Sequence, residues 1–177
     1  MYPTKIKINE SIFLSPLEME DAERIVFCLN DIQVSQWMAE VPYPYFIEDA
    51  KAFILRGTNQ ENSTEVVFAI RNNENELVGV VRFIDILEQK ARINYWIANP
   101  YWGKGIMAEV IKKVCDFGIQ ELMLSRIYGH VLVENLRAAR VLEKCGFTCE
   151  GMFKKSVKKN EKFFDCKLYA LVVEKIN

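Results

Sequence analysis

Gly103-Lys104-Gly105 stands directly before a run whose apolar residues recur every three or four positions, so the glycines open a helix. The first turn of a helix carries backbone N–H groups without internal partners, and the helix dipole adds positive character there. Glycines let a phosphate approach those amides closely. Gly103, Gly105 and Ala108 also satisfy G-x-G-x-x-G/A, and Glu134 ends the following strand, where a ribose-binding acid would stand. Two features oppose that dinucleotide reading. Residues including Pro100 separate Ile97 from Gly103, and the 43 residues after Glu134 are too few to complete a doubly wound sheet. No G-x-x-x-x-G-K-[ST] occurs, so a P-loop is excluded. Cys145 and Cys149 are four apart and His130 is the only histidine, too sparse a set for a zinc site; no metal is expected.

The elements that position these residues follow from periodicity. Ile12 to Leu14 reads as a short strand, and Glu18 to Leu29 as a helix with Ala22, Ile25, Val26 and Leu29 on one face. Pro42-Tyr43-Pro44-Tyr45-Phe46 is an aromatic loop. Glu48 to Leu55 reads as a second helix stopped at Gly57. Val66 to Ile70, Leu77 to Ile86 and Ile93 to Ile97 form a meander with short polar connections. A long helix runs from the glycine loop to about Gln120, burying Ile106, Met107, Val110, Ile111, Val114 and Phe117. Ile127 to Val133 is a strand. Leu136 to Lys144 is a helix closed by Gly146, and Thr148 to Val157 and Phe163 to Val173 are two further strands. The order βααβββαβαββ describes an α/β chain around a mostly antiparallel central sheet flanked by helices.

With 177 residues and no linker or repeat, the chain is expected to form a single domain over 1–177. The charged fraction of 27% beside 12% aromatics excludes disorder. A net charge of −1 argues against direct nucleic-acid binding, although acids crowd residues 1–50 and six lysines crowd 150–167; both read as solvated surface. No apolar run is long enough for a membrane span, and Met1 to Lys5 lacks a signal profile. Five cysteines without a framework fit a reducing cytoplasm.

Tyr95-Trp96-Ile97, then Gly103-Lys104-Gly105-Ile106-Met107-Ala108-Glu109, then Asn135 through Phe147 together resemble the GNAT N-acetyltransferase superfamily. More narrowly they resemble its ribosomal-protein N-terminal acetyltransferase (RimJ/RimL-like) branch. The resemblance implies a GNAT-like fold with the sheet splayed between its fourth and fifth strands, and acetyl-CoA as co-substrate. It implies that Trp102, Gly103, Lys104, Gly105, Ile106 and Met107 bind the pyrophosphate, and that Ile97 and Ala98 pair with the pantetheine arm. Asn135 would lie near the thioester, or serve as a helix cap. Lys144, and Arg140 one turn away, would reach the CoA phosphates, or stand as solvated cations. A homodimer is common in the branch.

The sequence departs from the family pattern at the proton-transfer positions. Leu142 stands where many members carry a Tyr acid, Ala138 where the branch often has Ser, and Arg92 where a Glu is usual; Pro100 replaces the leading Gln or Arg of the loop. Asp85, Glu88 and Tyr169 remain as candidate proton carriers, and no catalytic residue is assigned. At pH 7 an α-amine of pKa ~7.8 is about 14% neutral, whereas a lysine amine at ~10.4 is about 0.04% neutral. A site poor in acids and bases therefore favours a peptide or ribosomal-protein N-terminal α-amine, with an amino sugar or antibiotic as the alternative acceptor. A non-catalytic acetyl-CoA-binding module is the competing reading. Tyr43 to Phe46 would roof the acceptor, or plug the core.

Overall fold

The computed structural model describes residues 5–59 and 64–174; Met1 to Thr4, part of the stretch read for a leader, lie outside them. The elements are β1 (Ile6–Lys7), β2 (Ile12–Ser15), α1 (Ala22–Leu29), α2 (Ile32–Ser35), α3 (Ile47–Thr58), β3 (Val66–Asn72), β4 (Leu77–Leu87), β5 (Lys90–Ile97), α4 (Ile106–Gln120), β6 (Arg126–Leu132), α5 (Leu136–Lys144), β7 (Thr148–Lys159) and β8 (Lys162–Val172). The strands are hydrogen-bonded in the order β1-β2-β3-β4-β5-β6-β8-β7, a mixed sheet in which β5 and β6 run parallel. That parallel pairing covers Lys90–Arg92 against Arg126–Tyr128 and stops there, at the fourth and fifth strands of the sequence reading.

The chain forms two compact units, one of residues 1–84 and 94–106, the other of residues 85–93 and 107–177. In the first, β2, β3 and β4 are antiparallel neighbours, and β3 is buried along its whole length. Ile25, Cys28 and Leu29 of α1 and Ala50 and Ile54 of α3 pack on Val67, Ala69 and Val80 of the strands. Burial of such side chains contributes roughly 1.5–3 kcal/mol each. Beneath them Arg71 donates to both carboxylate oxygens of Asp21 at 2.7 and 2.8 Å and to Ser15 Oγ at 2.7 Å, a buried ion pair that ties the start of α1 to β3.

In the second unit α4 buries Met107, Val110, Ile111, Val114 and Phe117 as its periodicity predicts. Helix α5 ends in a Schellman turn. Phe147 N donates to Leu142 O at 3.1 Å and Gly146 N to Glu143 O at 3.1 Å, with Gly146 at φ +87°.

The structure corrects several boundaries. The helix expected from Glu18 begins as a 3-10 turn at Met19–Asp21, held by Asp21 Oδ2 accepting from Glu18 N at 2.8 Å, and α-helix follows only from Ala22. Strand β1 and helix α2 are too short to leave a periodic signal and were not expected. Gly57 does not stop α3; it lies inside it. A Cβ at Gly57 would come within 2.8 Å of Val67 Cγ2, so this glycine serves the close approach of helix to strand.

Candidate active site

In the first unit the segment after β5 turns through a 3-10 helix, Asn99–Tyr101, into the glycine loop. Pro100 pre-sets that turn. Trp102 Nε1 donates to Ile97 O at 2.8 Å, and Asn72 Nδ2 donates to Tyr101 Oη at 3.2 Å, so indole and phenol anchor the entry to the loop. Trp102 and Tyr101 also pack against the apolar core of this unit. Gly103 and Gly105 have φ of +74° and +79°, and a Cβ on either would meet nothing within 4 Å. Glycine takes this positive φ without strain, and the clear space above it is what a phosphate group needs to reach main-chain amides. Ile106 begins α4 directly afterwards, and Lys104 is exposed with its Nζ 5.6 Å from the Tyr101 ring centroid. The Trp102 amide donates to Asn99 O at 3.0 Å, so the open part of this loop runs from Gly103 to Ile106.

Ile97 and Ala98 are both buried. Ala98 N donates to Val78 O at 2.8 Å and Ala98 O accepts from Tyr101 N at 3.0 Å, so both of its backbone groups serve the protein itself.

The same unit holds a cavity of about 240 Å³ lined on its apolar side by Met38, Tyr45, Phe53, Val80, Tyr95 and Trp96. Its charged wall carries Glu40, Asp49, Arg56 and Arg82. Both guanidinium groups are ion-paired, through Glu40 of this wall and through Glu65 behind it, while Asp49 is held by a backbone amide. Arg82 donates to Glu65 Oε1 at 2.8 Å and to Glu40 Oε2 at 3.2 Å, Arg56 Nε lies 3.6 Å from Glu65 Oε2, and Asp49 Oδ2 accepts from Phe46 N at 2.9 Å. Tyr45, from the aromatic loop, is buried and clamped by Asn30, which donates to Tyr45 O at 2.8 Å and accepts from its N at 2.9 Å. Tyr43 and Phe46 of that loop stay exposed.

The second unit carries Met107, Asn135 and Lys144. Met107 is buried in the first turn of α4. Asn135 Oδ1 accepts from Ala138 N at 3.2 Å, which caps α5. Lys144, exposed in the last turn of α5, complements the dipole of that helix. Leu142 is fully buried, with its Cδ1 3.5 Å from the point where a Cβ would stand on Gly129.

The candidate proton carriers are engaged. Asp85 is ion-paired with Arg92 at 3.1 Å, and Glu88 with Lys90 at 3.3 Å. Tyr169 is buried and its hydroxyl donates to Glu143 Oε1 at 3.1 Å. Burial, reinforced by that carboxylate, pushes the phenol up to about 12, so it holds its proton throughout the working pH range. Of the thiols, Cys115 is buried, Cys145 is half-buried and Cys149 is exposed. Strand β7 is the edge strand, open on most of its residues, and it carries Cys149 outward.

His130 was weighed in the sequence only as a metal ligand. Among the described residues no three His, Cys, Asp or Glu side chains gather as a metal site. The ring stands instead on β6 beside Tyr128, two residues away on the same face, an i, i+2 spacing that was legible in the sequence.

Residues 11–148 match the model of the acetyltransferase (GNAT) domain. Among curated relatives, the probable N-acetyltransferase YjcK of Bacillus subtilis is 32% identical over 93% of this chain and 95% of its own. The spermidine N(1)-acetyltransferase of Vibrio cholerae is 28% identical over 96% and 98%, and the putative ribosomal N-acetyltransferase YdaF of Bacillus subtilis is 27% identical over 94% and 93%. The solved structure of the microcin C7 self-immunity acetyltransferase MccE, in complex with acetyl-CoA and AMP, superposes with a TM-score of 0.86 at 26% identity, covering 97% of this chain and 98% of that one. The chain is therefore a member of the GNAT family, an acetyl-CoA-dependent N-acetyltransferase.

Proposed function

We propose that this enzyme transfers the acetyl group to the α-amine of a peptide or protein N-terminus, by direct attack of the amine on the thioester. The observation that carries this reading is the charge matching in the cavity of the first unit. A polyamine acceptor needs several carboxylates without cationic partners, whereas the cavity lining has two carboxylates, of which Glu40 is held by Arg82 and Asp49 accepts from Phe46 N. Two guanidinium groups in the same wall repel a polycation and offer N–H donors to peptide carbonyl oxygens. The apolar wall of Met38, Tyr45, Phe53 and Trp96 suits an uncharged first side chain. An α-amine also needs the least deprotonation, at a cost near 1 kcal/mol against roughly 4.6 kcal/mol for a lysine-type amine at pH 7.

In this reading the amides of Gly103, Lys104, Gly105, Ile106 and Met107 receive the pyrophosphate of acetyl-CoA, and Trp102, whose own amide donates to Asn99 O at 3.0 Å, shapes the entry to the loop. Ile97 and Ala98 border the pantetheine arm, Asn135 offers its Nδ2 near the thioester end, and Lys144 reaches the outer phosphates. Acetyl-CoA supplies the activated acetyl carbon; the protein supplies orientation and a dry apolar setting for attack. The family model crosses both compact units, which supports treating residues 1–177 as a single catalytic domain. Buried Cys28, Cys115 and Cys166 and the lack of any disulfide among the described residues agree with the cytoplasm as its compartment.

The experiment is acetyl-CoA-dependent release of free thiol across N-terminal peptides, spermidine and amino sugars, with mass spectrometry locating the acetyl group. Faster turnover of α-amine peptides supports the reading. Preferential turnover of spermidine or an amino sugar overturns it.

A further inference from the structure

We infer that Tyr45 sets the acceptor selectivity of this enzyme: its hydroxyl, with the carboxamide of Asn94, receives a neutral hydrogen-bonding side chain, a hydroxyl or a carboxamide, at the first position of the acceptor. That the occupant is a peptide rests on the function proposed above. The cavity itself lies wholly within the first compact unit. Its walls follow from two periods. Val80 and Arg82 on β4, and Asn94 and Trp96 on β5, stand two residues apart, so each pair faces one way from its strand. Asp49, Ala52, Phe53 and Arg56 recur every three or four residues along α3 and close the cavity from the helix side. Tyr45 stands two residues before α3. Asn30 bonds its carbonyl at 2.8 Å and its amide at 2.9 Å, which fixes the backbone that carries the phenol.

Two polar groups of this lining are free. Tyr45 is only 7% exposed, and its hydrogen bonds are those of its backbone; the hydroxyl has no partner among the described residues. Nor is that hydroxyl sealed in protein, and it opens on the cavity that the residue lines. The half-buried Asn94 likewise has a carboxamide without a partner among the described residues. Burial, and then the Asp49 carboxylate, push the phenol up, so it stays a neutral donor and acceptor at physiological pH. The charged groups of the lining are taken. Arg82 is held by Glu65 and Glu40, and Arg56 by Glu65. Both guanidinium groups also lie over the Phe53 ring, at 5.4 Å for Arg82 and 5.8 Å for Arg56 from its centroid. Asp49 accepts from Phe46 N.

These placements discriminate between side chains. An ionised side chain finds the opposite charges of the lining already engaged. An apolar one fits Met38, Phe53 and Trp96 but dries the Tyr45 hydroxyl and the Asn94 carboxamide without giving either a partner. A buried polar group left unpaired loses more than a completed hydrogen bond gains, so rejection of the apolar isostere is the larger effect. A hydroxyl or a carboxamide both donates and accepts, as do the two free groups, and it can satisfy them while its carbon atoms rest on the apolar wall.

The test uses the full chain, acetyl-CoA and peptides that differ only in their first residue. Two pairs of similar shape, threonine against valine and asparagine against leucine, separate the hydroxyl from the carboxamide; lysine and glutamate supply the charged members. In the wild type kcat/KM is expected to favour the hydrogen-bonding member of at least one pair by about 10–100-fold. Tyr45→Phe keeps the ring and removes only the hydroxyl, and the preference is expected to fall to within about threefold. Asn94→Leu, on a different element, is expected to narrow the same ratio, and it decides the matter if Tyr45→Phe does not fold. A packing role alone would lower both members of a pair alike and leave their ratio unchanged. A wild-type ratio within about threefold in both pairs, a ratio unmoved by the folded variants, or faster turnover of the lysine or glutamate peptide overturns the assignment and leaves the α-amine reading standing. Failure of every peptide beside turnover of spermidine or an amino sugar overturns the α-amine reading, and this assignment with it.

Discussion

Gly105→Ala isolates the anion cradle from the rest of the fold. At φ +79° an alanine costs about 1–2 kcal/mol of backbone strain, but its Cβ meets no atom within 4 Å, so no packing is lost. For a chain of this size each kcal/mol moves Tm by about 2–4 °C, which predicts a fall of roughly 2–8 °C in the free protein. The larger effect is expected on the ligand. A methyl group over the loop keeps phosphate away from the amides, and we expect at least about tenfold weaker acetyl-CoA binding. With acetyl-CoA at 100 times the wild-type Kd, linkage stabilises the wild type by about 2.7 kcal/mol and a tenfold weaker variant by about 1.4 kcal/mol. The ligand-induced rise in Tm should therefore shrink from about 5–11 °C to about 3–6 °C or less. The assay is differential scanning fluorimetry with and without acetyl-CoA, beside calorimetric titration. Gly57→Ala is the control. Its Cβ would press on Val67 at 2.8 Å, so stability changes while the ligand-induced rise stays intact. If Gly105→Ala keeps the full rise, the loop is turn chemistry and not a phosphate cradle.

Three further outcomes test the energetics. Asp21→Ala strands the Arg71 guanidinium in the core and is expected to cost about 3–5 kcal/mol in denaturant unfolding, without altering acetyl-CoA affinity per folded molecule. The raised phenol of Tyr169 has a defined sign. Above pH 10 the unfolded chain loses this proton while the folded chain keeps it until about 12, so stability falls as pH climbs across that window, and Tyr169→Phe should flatten that part of the pH–stability curve. The same variant should keep kcat within about twofold, since removal of one hydrogen bond costs only about 0.5–1.5 kcal/mol of stability. A thiol reagent should modify Cys149 first and leave Cys28 and Cys115 untouched in the native protein, because burial pushes both of those thiols up. Cys149→Ser should retain full turnover, as direct attack of the amine requires; loss of turnover would point to an acyl-cysteine intermediate instead.

Local chemistry made much of this molecule legible before any coordinates. The buried stripe of α4, the hairpin order of β3 to β5 and the Gly146 stop after α5 all follow from periods of 3.6 and 2 and from one backbone conformation. The turn at Gly103–Gly105 into α4 follows too, because two glycines at positive φ stand just ahead of a helical period. What the sequence could not contain are encounters between residues far apart along it. Asp21 meets Arg71 across fifty positions, Glu40 meets Arg82 across forty-two, and Tyr169 meets Glu143 across twenty-six. Those encounters decide which candidate acids and bases are already engaged, and so which remain for chemistry. Gly57 makes the same point from a single residue: it reads locally as a helix stop, whereas its role comes from the close approach of α3 to Val67 of β3, a contact that exists only in the folded chain.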